Sequence, residues 1–168
     1  MIRTIVVFLI AFLAIASTAD AQGGDCRGLT YFRGTFSITI ARPPNDAFAL
    51  FDAKGESRWD PTWSPKFLHG DAYDAGSVFQ TNHDGHTTTW LVDSYDSQNK
   101  RVSYVVLPSD GSIENISVTL VPNGNGSRAD VAYERTALND AGKREVGDFC
   151  TTFSHRQGDW QAAMDAAK

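Results

Sequence analysis

The sequence predicts an α+β domain in which one curved antiparallel sheet closes over a C-terminal helix and leaves an apolar hollow between them. Three observations predict it. Strand-like segments joined by turn residues follow one another from Val78 to Leu138. Two short helical pieces rich in Trp and Pro separate the first strand from that run. From Ala141 onward the apolar period changes from two to about 3.6.

The elements can be justified in order. Residues Thr35 to Ala41 alternate Phe36, Ile38 and Ile40 with Thr35, Ser37 and Thr39, as a half-buried strand requires. Pro43 and Pro44 end it. Asn45 or Asp46 is expected to cap a short helix carrying Phe48, Leu50 and Phe51, and Lys54-Gly55 breaks that helix. A second short piece around Glu56 to Trp59 stops at Pro61, with Trp63 and Pro65 just beyond. Val78 to His83 and His86 to Tyr95 flank Asp84-Gly85, a strong two-residue hairpin signal that pairs His83 with His86, Thr81 with Thr88 and Phe79 with Trp90. Lys100 to Leu107, Ser112 to Val121 and Ser127 to Leu138 complete the meander. The closing helix carries Val146, Phe149, Phe153, Trp160, Met164 and Ala167 as one apolar stripe, with Asp148, Arg156, Asp159 and Asp165 expected largely off it.

The N-terminus reads as an address. Arg3 precedes a wholly apolar run, Ile5 to Ala16, and Ala19-Asp20-Ala21 supplies a small-x-small cleavage site before Gln22. Residues 1–21 are therefore expected to be a signal peptide and 22–168 a single mature domain. The apolar run is shorter than the roughly 20 residues a bilayer span needs, although a retained anchor is the alternative. Gly23-Gly24-Asp25 before Cys26 does not resemble a lipidation site. The expected product is soluble and exported, to a periplasm or to the medium, with no stable membrane anchor.

A mature length of ~147 residues suits one domain burying about 68–70% of its unfolded surface. The net charge is −5 and the basic residues are scattered, so no nucleic-acid footprint is present, and an anionic membrane surface is disfavoured. Only two cysteines occur, Cys26 and Cys150, one near each end of the mature chain. In an exported protein such a pair is expected to form a disulfide, with two unrelated thiols as the alternative. Neither sits in a Cys–His arrangement that would make it a nucleophile.

This layout resembles the START-like, or SRPBCC, superfamily, including the group labelled polyketide cyclase/dehydrase. The resemblance is carried by Arg58-Trp59-Asp60-Pro61-Thr62-Trp63-Ser64-Pro65, by Gly76-Ser77-Val78-Phe79, and by Trp90-Leu91-Val92 through Tyr95-Asp96. Tyr133-Glu134-Arg135-Thr136-Ala137-Leu138 with Gly142, and the closing helix with Phe149, Phe153 and Trp160, add to it. It implies a helix-grip fold: a curved seven-stranded antiparallel sheet with two short helices and one long C-terminal helix. Members of the superfamily bind lipids, sterols, hormones or polyketides, and some are enzymes. They share no catalytic motif, so no catalytic residue is carried over.

Strand parity then nominates the residues lining the hollow. A turn centred on Gly124-Asn125 pairs Ile116 with Tyr133, Val118 with Val131 and Leu120 with Ala129, and sets Glu114 opposite Arg135. All eight share one face, and the apolar ones identify it as the inner face. Phe79, Trp90, Tyr104, Tyr133, Phe149, Phe153 and Trp160 supply more aromatic surface than a small core requires. The predicted ligand-binding set is therefore Phe79, Trp90, Tyr104, Glu114, Tyr133, Arg135, Phe149 and Phe153. Glu114 and Arg135 are read either as a structural ion pair or as the group that orients a ligand's polar head. Pairing with Arg135 is expected to lower the Glu114 pKa and make it a poor general acid.

The mouth is expected near Trp63 to Lys66, the Asp84-Gly85 turn, the Ser109-Asp110-Gly111 turn and the Asn139 to Gly142 loop. His83, Asp84 and His86 fall on that rim. Nothing there completes the three protein ligands a catalytic zinc needs, so a solvated hairpin tip is expected, with no metal or cofactor. Asn115-Ile116-Ser117 and Asn125-Gly126-Ser127 match the glycosylation sequon, which matters only in a eukaryotic host. Three function classes follow: an exported carrier or sensor of a small, mostly apolar ligand, an enzyme on a cyclic or aromatic substrate, and an interaction module with a filled core. The first is preferred.

Overall fold

The computed structural model describes residues 25–83 and 85–167. The predicted signal peptide, residues 1–21, and Asp84 lie outside the described residues. The chain forms β1 (Tyr31–Ile40), α1 (Pro44–Ala47), β2 (Lys66–His69), β3 (Val78–His83), β4 (His86–Asp96), β5 (Arg101–Pro108), β6 (Ser112–Asn123), β7 (Gly126–Ala137), α2 (Asp140–Thr152) and α3 (Arg156–Ala166). Single 3₁₀ turns sit at Phe48–Leu50, Gly55–Arg58 and Phe153–His155. The seven strands make one antiparallel sheet in the order β1-β7-β6-β5-β4-β3-β2. Together with the C-terminal helix across its inner face, this is the helix-grip arrangement.

The registers follow from parity and turn length. His83 pairs with His86, Phe79 with Trp90, Glu114 with Arg135 and Ile116 with Tyr133. Along β7 the buried positions alternate strictly from Ser127 to Arg135, so Arg135 lies in the buried phase. The seventh strand, β2, escaped the residue-level reading. It is four residues long, pairs only with β3, and is exposed except at Phe67, so no alternation marks it.

Two helical details differ from expectation. Neither Asn45 nor Asp46 caps α1: Pro43 is the N-cap, Pro44 begins the helix, and no side chain bonds the free N–H groups. The closing helix is broken into α2 and α3 by the 3₁₀ turn at Phe153–His155. Asn139 caps α2, its Oδ1 accepting from the Gly142 N–H at 3.0 Å.

Two glycines let the helix come down on the sheet. A Cβ on Gly34 would lie 2.3 Å from the Phe153 ring, so β1 leaves a hole into which that ring fits. A Cβ on Gly142 would lie 2.0 Å from the Gly111 carbonyl oxygen, so the start of α2 rests directly on the β5–β6 turn. The helical segment between α1 and β2 is anchored by two indoles. Trp59 donates to the Leu50 carbonyl at 2.7 Å and Trp63 to the Ala53 carbonyl at 2.6 Å.

Cys26 and Cys150 form a disulfide across 124 residues, fastening the segment before β1 to α2. No helix among the described residues is long and apolar enough to cross a membrane.

Candidate functional site

Two neighbouring rows of side chains run across the inner face. One is Phe79–Trp90–Val106–Glu114–Arg135, continued on β1 by Phe32. The other is Val92–Tyr104–Ile116–Tyr133, continued on β1 by Gly34. Six of the eight predicted residues therefore lie side by side. The other two, Phe149 and Phe153, reach the same surface from the helix.

The rings form two groups. Phe79 stacks on Trp90 at 5.8 Å, both meet Tyr104 edge-on, and Trp63 closes this group against Trp90 at 5.0 Å. Tyr133, Phe149 and Phe153 form the second group, with centroids 5.6–5.9 Å apart. Trp160 extends it, touching Phe36, Phe51, Trp59 and Tyr133. Much of the space between sheet and helix is thus occupied by rings in contact. A separate pocket of about 150 Å³ lies at the far end of the sheet, lined by Ile40, Arg42, Leu50, Met164 and their neighbours.

The polar groups are set among these rings. Arg135 is 8% exposed, and each nitrogen of its guanidinium has a partner. Nε donates to Ser112 Oγ at 3.0 Å, one terminal nitrogen pairs with Asp110, and the other lies 3.3 Å from Glu114 Oε1. The expected lowering of the Glu114 pKa is corrected by the structure. Burial raises it, outweighing the opposing pull of Arg135 and then Arg156. The desolvation cost is a sum over every group that excludes water, which a pairwise reading of one neighbour omits.

Arg156, expected largely off the apolar stripe, is half-buried. Its guanidinium lies 4.3 Å from the Phe149 ring centroid and 5.2 Å from that of Tyr133. The signal was present, because Arg156 follows Phe149 by seven residues, about two helical turns, and long helical side chains lean back toward the N-terminus. Among the described residues it makes no ion pair within 4 Å.

Glu56, on the 3₁₀ turn, carried no signal in the sequence. The residue is half-buried, but its carboxyl is set deep in protein. Burial raises its pKa well above the ordinary carboxylate range, and Asp60 and Asp52 add to this. Its charge also raises the pKa values of Tyr104 and Tyr133, for both of which burial is the larger cause. Among the described residues no side chain bonds its carboxyl. Asp52, 2% exposed, is satisfied by the Lys54 and Gly55 N–H groups, and the Tyr104 hydroxyl donates to the Phe51 carbonyl at 2.8 Å.

On the rim, His83 and His86 pair at the exposed tip of the β3–β4 hairpin. Among the described residues no group of three or more His, Cys, Asp or Glu side chains could hold a metal ion. Asn115 is exposed, on the outer face of β6.

No family model matches the sequence, and no curated protein matches it. Solved structures do resemble the fold. Ara h 8.0201 superposes with a TM-score of 0.61 at 18% identity, over 82% of this chain and 97% of that one. A point mutant of Thalictrum flavum norcoclaurine synthase, bound to a transition-state analogue, gives 0.59 at 16%, over 82% of this chain and 91% of that one. The major latex-like protein 151 of Panax ginseng gives 0.55 at 14%, over 76% of this chain and 99% of that one. At these identities the likeness speaks for architecture alone, and by that architecture the chain has the helix-grip fold that these solved structures share.

Proposed function

We propose that this is an exported binding protein for a small, mostly apolar ligand held between the sheet and the C-terminal helix. The observation that carries the reading is a concave aromatic face with two ionisable side chains, Glu56 and Arg156, set into it without an ion-pair partner. A core that served packing alone would gain nothing from burying them. Phe79, Trp90, Tyr104, Tyr133, Phe149 and Phe153 would supply apolar contact at about 25 cal/mol per Å² removed from water. Glu114 and Arg135 would brace the polar end of the site. Rings now in mutual contact, Trp160 foremost, would move aside as ligand enters. The bound molecule of the norcoclaurine synthase structure supports occupancy of this fold.

Export rests on residues 1–21 acting as a cleaved leader, and the Cys26–Cys150 bridge supports an oxidising compartment. Native mass spectrometry on protein taken from the exported fraction tests both points. The expected result is a chain beginning at Gln22 that carries one extractable apolar adduct. An intact leader would overturn the export, and a clean apo mass that accepts no apolar compound would overturn the binding.

One observation favours a second reading, an enzyme acting on a cyclic or aromatic substrate. Glu114 and Glu56 both hold their protons above the ordinary range, as a general acid requires. Turnover abolished by Glu114→Gln or Glu56→Gln would establish it, and unchanged turnover in both variants would remove it.

A further inference from the structure

We propose that Arg156, rather than Arg135, is the recognition group for the anionic head of a carboxylate-bearing apolar ligand. This rests on the reading above that a ligand enters between sheet and helix. Arg135 is already compensated, since each of its three nitrogens faces a partner and two of those partners, Asp110 and Glu114, are carboxyl groups. Arg156 is charged, half-buried and set over the rings of Phe149 and Tyr133, and no carboxylate lies within ion-pair distance among the described residues. The rings take up none of its N–H donors, and a hydrogen bond to the Tyr133 hydroxyl leaves the rest for a ligand. A guanidinium presented in this way matches a carboxylate with two parallel bonds. The buried phenol of Tyr133 beside it offers a further donor. The rings around Arg156 suit a flat apolar body attached to that head.

The experiment compares 2-naphthaleneacetate with 2-(2-naphthyl)ethanol, two probes of one shape and different charge, by calorimetric titration at pH 8. The wild-type protein should bind the acid about tenfold or more tighter than the alcohol, the scale of one hydrogen bond between charged groups. Arg156→Gln should lose that preference and keep its affinity for the alcohol, while Arg156→Lys, which retains the charge, should keep most of it. In the wild-type protein, the Arg156 side-chain Nε–H resonance should shift on adding the acid and stay in place on adding the alcohol, a readout that needs no variant to fold. If the alcohol binds but the acid has no advantage, or if Arg156→Gln keeps the advantage, the inference fails and the binding reading stands. If neither probe binds the wild-type protein, both fail.

Discussion

Arg135 and Arg156 press on the same ring, their guanidinium carbons 5.0 and 4.3 Å from the centroid of Phe149. One comes from the sheet and the other from the helix, so two like charges from different layers of the fold meet one ring. Only Arg135 is neutralised, by Asp110 and Glu114. The asymmetry gives the two arginines different consequences on mutation.

Arg135→Met should be strongly destabilising, by about 3–5 kcal/mol at pH 8, because it leaves Asp110 and Glu114 in place without their cation. The loss should shrink at pH 5, where Glu114 can take up a proton, and adding Glu114→Gln should recover part of it. Denaturant titration of the two variants at both pH values checks this. An equal loss at the two pH values would show that Glu114 is not the group left stranded.

Reduction of the Cys26–Cys150 bridge, or the double change Cys26→Ser with Cys150→Ser, should lower stability by about 4–5 kcal/mol for a loop of this length. The check is denaturant unfolding with and without reductant. A loss below about 1 kcal/mol would mean that the segment before β1 is held to α2 by other contacts.

Gly34→Ala should cost about 1–3 kcal/mol, although alanine is usually the better strand residue. Its methyl group would meet the Phe153 ring at 2.3 Å, and that ring is enclosed by Phe32, Phe36, Tyr133 and Phe149. Thermal unfolding measures the loss. The paired change Gly34→Ala with Phe153→Leu should give some of it back.

Stability should rise as pH falls from 8 to 5, and Glu56→Gln should flatten that rise. Burial raises the folded pKa of Glu56 well above its ordinary 4.5. A group of this kind contributes stability that is complete below the unfolded pKa and is lost as pH rises through the folded one. The aspartates Asp71, Asp96 and Asp140 act in the opposite sense, but below their ordinary 3.8 and so outside this window. Melting temperatures of the two proteins across pH 5–8 decide the matter, with a difference of roughly 3 °C or more expected. Parallel profiles would place the Glu56 carboxyl in water.

What the sequence by itself determined was local. Alternation along β7 and a two-residue turn at Gly124-Asn125 are enough to put Glu114 opposite Arg135 and Ile116 opposite Tyr133, because a slip of one residue would turn every apolar side chain outward. With only two cysteines, one pairing was possible, and it formed. The tertiary structure alone decided how those residues behave. Glu114 holds its proton more tightly than its partner Arg135 would suggest, because desolvation adds up over strands and helices far apart in the chain. Glu56 acts electrostatically on Tyr104 and Tyr133, residues far from it in the chain, from a 3₁₀ turn whose C-terminal end the Trp59 indole fastens to the Leu50 carbonyl. The packing of α2 and α3 on β1 and β7 brought Arg156 against Phe149 and Tyr133. Register is a property of neighbouring residues, whereas burial belongs to the whole enclosure, and the chemistry of this site depends on burial.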